Sequence, residues 1–252
     1  MLNAEKSRFS SGKKSYLYIV LFVITVFSLN LNAQTADKVI EKYIKAIGGY
    51  DNIKKINTLR FTGNVKVHGF ELPLMVTFKR PNKIRIEITF QDISQVQAYD
   101  GSVGWKTDLM TGGKIAKKMN KSEEEEIQSG ADFEGAIIDY KKKGSTAKLF
   151  GKEKTDSVET YKIGIINSSG DTSFYYIDTK DNLIVKRSKI KQESKLMVNT
   201  YINSYISSDN LKFPSEMKVI IEESEDIQEI KFDKAEVNIE IDDAIFKMPD
   251  NE

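Results

Sequence analysis

The chain has 252 residues, with 38 Lys plus Arg against 37 Asp plus Glu, one histidine and no cysteine. Disulfides and thiolate metal sites are therefore excluded, and with His68 alone so is a histidine-rich metal centre. The near-neutral balance supplies no basic stripe for nucleic acid.

The N-terminal stretch through Ala33 reads as an export signal. Lys6, Arg8, Lys13 and Lys14 make a basic start, Tyr16 to Leu29 is an uncharged apolar run, and Leu31-Asn32-Ala33 precedes Gln34 with a small residue. The run is shorter than the roughly 20 residues of a spanning helix, so cleavage after Ala33 is expected rather than a retained anchor. Removing four basic residues and one acidic one leaves 34 against 36 and a net charge of −2. With no N-terminal cysteine to carry a lipid, a soluble mature chain is expected, 34–252, forming one domain.

Gln34 to Gly49 predicts a helix with Val39, Ile40, Tyr43, Ile44 and Ile47 on one stripe, Thr35 as N-cap and Gly48-Gly49 as the stop. A short helical turn, Asp51 to Lys55, follows. Strands come next. Leu59, Phe61, Gly63, Val65 and Val67 alternate with polar residues, and Leu72, Leu74, Val76 and Phe78 repeat the pattern. After the Pro81-Asn82 turn, Ile84, Ile86, Ile88 and Phe90 alternate with Arg85, Glu87 and Thr89, placing the isoleucines on the buried face. Ile93 to Tyr99 is a further strand, turned at Asp100-Gly101 before Trp105, the sole tryptophan.

Lys106 to Asn120 is loop-like. Ser122 with Glu125 predicts a capping box, and Glu123 to Glu126 fit a first helical turn better than a calcium site. Phe133, Ala136, Ile137 and Tyr140 predict a second helical stripe, closed by Lys141 to Lys143 and Gly144. Strands are expected again at 147–153, 158–165, 173–178, 183–191, 196–206, 216–223 and 227–237. This succession with short turns favours a mainly β (α+β) fold, an antiparallel barrel or strongly curved sheet.

No P-loop, G-x-G-x-x-G or G-x-S-x-G is present, and a Ser–His–Asp triad would need His68 at a hairpin turn. No enzyme activity, cofactor or metal is expected. Large apolar residues on strands remain, either as ordinary core or as the lining of an apolar cavity that the helices leave unfilled.

Several segments resemble the LolA-like outer membrane lipoprotein-sorting proteins of Bacteroidetes-type bacteria: AIGGYDNIKKINTLRFTGNV, ELPLMVTFKRPNKIRIE, QAYDGSVGWKT, ADFEGAIIDYKKKG, YYIDTKDNLIVK and DDAIFKMP. The resemblance covers nearly all of 34–252 in order. It implies a LolA/LolB-like unclosed antiparallel barrel with helices over the concave face. It implies a periplasmic carrier, not lipid-anchored and monomeric, that binds acyl chains of lipoproteins or another lipid, with an inner-membrane release complex and an outer-membrane acceptor as partners. The alternative is a periplasmic structural or interaction protein of the same fold with a filled core.

The expected cavity residues are Phe78, Ile86, Ile88, Phe90, Trp105, Phe133, Ile137 and Tyr140. The last three are expected as a helical lid over Ile88, Phe90 and Trp105. Arg60, Arg80 and Arg85 are the candidates for a functional arginine by location. KTDLMTGGK after Trp105 departs from the family pattern, which carries a proline and an aromatic there, and puts cargo preference in question.

Overall fold

A computed structural model describes residues 35–190, 195–223 and 227–250. The expected export signal and its expected cleavage site lie outside the described residues. Among the described residues thirteen strands form a single sheet. They are β1 (Thr58–Val67), β2 (Phe70–Lys79), β3 (Lys83–Phe90), β4 (Ile93–Tyr99), β5 (Gly104–Lys106), β6 (Lys117–Lys118), β7 (Thr146–Thr155), β8 (Val158–Ile166), β9 (Thr172–Asp178), β10 (Ile184–Ile190), β11 (Met197–Ser208), β12 (Leu211–Ile221) and β13 (Ile227–Val237). Their order is β6-β5-β4-β3-β2-β1-β13-β12-β11-β10-β9-β8-β7, so the sheet does not close and β6 and β7 are its edges. Every ladder is antiparallel.

Alternation gives the sheet two unlike faces. Leu59, Phe78, Ile84 and Tyr99 face one another across four strands, and Phe61, Val76 and Ile86 form the next row. These rows belong to the concave, apolar face. Helix α1 (Ala36–Ala46) lays Val39, Ile40 and Tyr43 on it. Thr35 caps α1, its Oγ1 accepting from the Lys38 N–H at 3.3 Å. Ile47 continues the stripe, and its carbonyl accepts from the Lys212 N–H at 3.0 Å. Gly48 has left-handed backbone and passes so close to the β11–β12 turn that a Cβ there would lie 2.5 Å from the Asn210 carbonyl. Helix α2 (Tyr50–Lys54) adds Ile53 to the same core.

Helix α3 (Lys121–Gly130) covers β3 to β5, packing Ile127 with Ile84, Tyr99 and Ala131. Its cap is not the expected one. Asn120 is the N-cap and Glu123 completes the box, because Asn120 already has the extended backbone a cap needs.

The second helical stripe is also corrected. Residues 132–144 form successive turns, not a helix. Gly135 and Asp139 take left-handed backbone, which interrupts the helical ladder twice within one predicted helix. The segment still buries Ile137, Ile138 and Tyr140 in the main core. The short strand β6 and a 3-10 turn at Leu109–Thr111 also lie within the stretch expected to be loop. Strand β12 begins at Leu211 rather than 216. Pro214 is accommodated opposite Tyr205, beside a register shift in β11.

Candidate functional site

The concave face is largely apolar, but it is not equally covered. Beneath α1 and the 131–144 segment, Leu59, Phe61, Ile163, Ile165, Ile177 and Phe213 are buried. Further along the same strands, Leu72, Val65, Ile230, Met217 and Ile202 stand in a single register row. Leu72, Ile230, Met217 and Ile202 in that row are only half-buried, as are the neighbouring Val76, Ile86 and Ile88. An apolar strip is thus left partly open beyond the covering elements.

The expected site residues divide. Phe78 lies edge-on to Phe61 (6.3 Å) and to Phe133 (6.0 Å). Ile86 and Ile88 line the half-buried strip, and Ile137 and Tyr140 are buried in the cover above the core. Phe90 lies at the open end, edge-on to Phe70 at 6.1 Å. Trp105 is not with them. It pairs in register with Ala98, which pairs with Arg85, so it belongs to the outer face. There it is buried with Val96, Ala98, Ala116 and Met248, and its indole N–H donates to the Phe246 carbonyl at 2.8 Å. The period of two decides this. Tyr99, facing in, is opposite Gly104, which leaves Trp105 facing out. The C-terminal 3-10 turn, Asp243–Phe246, covers this outer patch.

The 131–144 segment is held by charge as well as by packing. Glu134 is buried, with its side chain 3% exposed. It accepts from Lys54 Nζ at 2.6 Å and from the Arg80 guanidinium at 2.6 Å. Arg80 also donates to the Ile56 and Ile53 carbonyls and lies 4.7 Å from the Phe133 ring centre. Asp139 accepts from Lys54 at 2.6 Å and from the Tyr50 hydroxyl, and pairs with Lys142. Tyr140 donates to Asp37 of α1.

Burial alone would raise the Glu134 carboxyl. The hydrogen bonds from Lys54 and Arg80 outweigh it and hold the group below its ordinary range. At Asp139 burial is likewise outweighed, by hydrogen bonds from Lys54, Lys142 and Tyr50, and the carboxyl is held down to about 2. The Tyr175 hydroxyl of β9 lies against the segment, 3.7 Å from where a Cβ at Gly135 would stand, and burial raises its pKa.

Of the three arginines expected by location, Arg80 reaches this cover. Arg60 donates to Thr77, and Arg85 to the Ile245 carbonyl on the outer face. Lys54, Glu134 and Asp139 were not expected at the site. The one signal for them is a carboxylate, Glu134, set among the apolar Phe133, Ala136 and Ile137.

A cleft of about 660 Å³ separates α3 from the ends of the β8–β9 and β10–β11 hairpins, with Glu125, Glu126, Ser173 and Lys189 in its walls. Among the described residues no group of His, Cys, Asp and Glu is placed to hold a metal.

Solved structures share this arrangement. A DUF1329 family protein from Desulfovibrio piger superposes with a TM-score of 0.60 at 11% identity, covering 84% of this chain and 97% of the other. A LolA superfamily protein from Nitrosomonas europaea gives 0.57 at 12% identity, covering 85% and 98%. The chain has a LolA-like fold. A domain from Vibrio parahaemolyticus described as an outer membrane lipoprotein-sorting protein gives 0.55 at 9% identity, covering 83% and 94%. No protein-family model matches the sequence, and no curated protein matches it either. Identities this low carry the LolA-like fold and no residue role.

Proposed function

We propose that the protein is a carrier that shelters the acyl chains of lipoproteins or other lipids on the concave face of its LolA-like sheet. The observation that carries this reading is the half-buried strip Leu72–Ile230–Met217–Ile202 with Ile86 and Ile88, continuous with a core whose cover is a turn-rich segment pinned by ion pairs. Each methylene taken out of water contributes about 0.8 kcal/mol, so a chain lying along the strip is held without directional bonds and can slide. Admitting more chain requires the 131–144 segment to lift. Its pins, Lys54 and Arg80 to Glu134, are reversible and stay near water, with Lys54 30% and Arg80 27% exposed.

In this reading residues 1–33 direct the chain to the periplasm and are removed. The folded domain then acts as a monomer between an inner-membrane release complex and an outer-membrane acceptor. It needs no cofactor and performs no covalent chemistry. The buried cluster under α1 favours the second reading, a structural or interaction protein whose core is full.

Native mass spectrometry of protein recovered from the periplasm separates the two. A tryptophan introduced by Ile88→Trp reports a fatty-acid titration directly, whereas Trp105 lies on the outer face. Co-purifying lipid and a saturable emission change support the carrier. Lipid-free protein with no saturable binding of any acylated ligand assigns the chain to the second reading.

A further inference from the structure

The two ends of the sheet are unlike. At one end Gly48, just after α1, passes the β11–β12 turn at Asn210. At the other stand Phe70, which opens β2, Ile190, which closes β10, and Ile227, which opens β13. They are 59%, 50% and 43% exposed. Phe70 is on the concave face, two residues before Leu72 on the same strand. Ile190 and Ile227 are on the outer face. Tyr175 is buried in the main core, so its neighbour Phe174 faces out, as does its register partner Ser188, two residues before Ile190. From Ser188 the same register row runs through Asn199 and Ile220 to Ile227.

The next outer row back from this rim has a different chemistry. It crosses five strands as Lys162, Tyr176, Lys186, Tyr201 and Lys218. Lys162 Nζ and Lys186 Nζ each lie 5.2 Å from the Tyr176 ring centre, and Lys186 Nζ also lies 4.9 Å from that of Tyr201. A lysine so placed lays its methylenes on apolar surface and keeps its ammonium at the water. Tyr176 is buried although it faces out, so its ring offers no open platform for stacking a sugar or a base. The row is positive. Glu153 offsets Lys162 at 3.1 Å, and beyond Lys218 the row ends in Glu229 and Lys66, which pair with each other at 3.8 Å. The excess falls on Lys186 and Lys218.

An apolar rim followed by a row of tyrosines and lysines is the depth order of a protein seated on a bilayer. Apolar side chains reach the acyl boundary, while tyrosines and extended lysines stay among the headgroups. The lysines complement negatively charged lipid. We propose that this end of the sheet docks on an anionic bilayer, with Ile190 and Ile227 entering the acyl boundary and the Lys162–Lys218 row lying at the phosphates. The surface stands without the carrier reading. Taken with that reading it gives the strip an exit, because Phe70 and Phe90 carry the concave apolar face to the same end. An acyl chain then passes between strip and bilayer without crossing water.

The test is co-sedimentation of the purified exported protein with vesicles of equal parts phosphatidylglycerol and phosphatidylcholine, against vesicles of phosphatidylcholine alone. Binding to the anionic vesicles is expected to be the stronger, and to weaken as salt is added. Lys186→Gln and Lys218→Gln should each weaken it about fivefold. Ile190→Ser should cost a comparable factor, since half of that side chain is still open to burial. Thermal melting checks that each variant is folded. Orientation is read separately. A tryptophan at Ile190→Trp should shift its emission to the blue on anionic vesicles, and one at Lys180→Trp, in the turn at the other end of β10, should not.

Protein that stays in the supernatant with both kinds of vesicle overturns the docking surface and leaves the rim to a protein partner. Binding that is equal on the two kinds of vesicle, or undiminished in folded Lys186→Gln and Lys218→Gln, overturns it as well. So does a blue shift at position 180 in place of 190. The carrier reading is judged apart, by the fatty-acid titration of Ile88→Trp. Saturable fatty-acid binding without vesicle binding removes this surface alone, and vesicle binding without it removes the carrier alone.

Discussion

Glu134 is a carboxylate in an otherwise apolar stretch, and its surroundings make it a tether. Glu134→Gln leaves Lys54 and Arg80 without their shared counter-charge. Both cations retain some solvent access, so the loss falls below that of a fully buried pair, about 1–3 kcal/mol by urea denaturation. A variant as stable as the wild type removes the tether from the account. Ile84 probes the opposite chemistry. It is 3% exposed, beneath α3 and against Tyr99 and Ile127. Ile84→Asp introduces a carboxylate with no partner there and should cost several kcal/mol, enough to be seen as a large fall in melting temperature. The same change at Ile88, on the half-buried strip, should cost clearly less, because water reaches that side chain.

At the scale of elements, the 131–144 segment is the part most open to change, since turns stapled by charge replace a continuous helical ladder. Its pH dependence has a definite sign. Asp139 is held at about 2 in the fold against an ordinary 3.8, and Glu134 is held below its ordinary 4.5. Groups lowered on folding contribute stability above their unfolded values and lose it as pH falls through the folded ones. Acidification from about pH 4.5 towards 2 should therefore raise hydrogen exchange in 131–144 before exchange in the central strands. Stronger protection of the segment at low pH would contradict this.

The strands were legible because alternation is local. Ile84, Ile86 and Ile88 needed only their own spacing to be placed on the inner face. The helix predicted through Phe133 and Tyr140 failed because spacing cannot register the left-handed backbone at Gly135 and Asp139. Trp105 was misplaced for a related reason. Its strand is three residues long, and its face is decided by the partner strand rather than by its own pattern. The tether joins residues 80 apart in sequence, Lys54 and Glu134, and nothing local announces it.

At the scale of the molecule, eleven ladders join strands that are consecutive in the chain, and the ladder between β1 and β13 joins its two ends. That seam has little tolerance. A Cβ at Gly63 would lie 1.9 Å from the Lys231 carbonyl oxygen, at the register shift beside Thr62. Gly63→Ala should force the two strands apart and yield little folded protein, measurable as lost soluble expression and lost melting cooperativity. Normal folding of this variant would mean that the shift can move. A separate check concerns the chain's address: sequencing of exported protein should begin at Gln34 or within a few residues.

The seam also sets an order in time. During synthesis β1 to β6 emerge first and can pair among themselves, while β1 waits with one edge open until Ile227–Val237, the last strand, has been made. An open edge of ten residues carrying Leu59, Phe61 and Val65 is a template for another chain as much as for its own. A product stopped short of residue 227 therefore keeps two meanders whose open edges have lost each other, and pairing between copies becomes the available way to satisfy them.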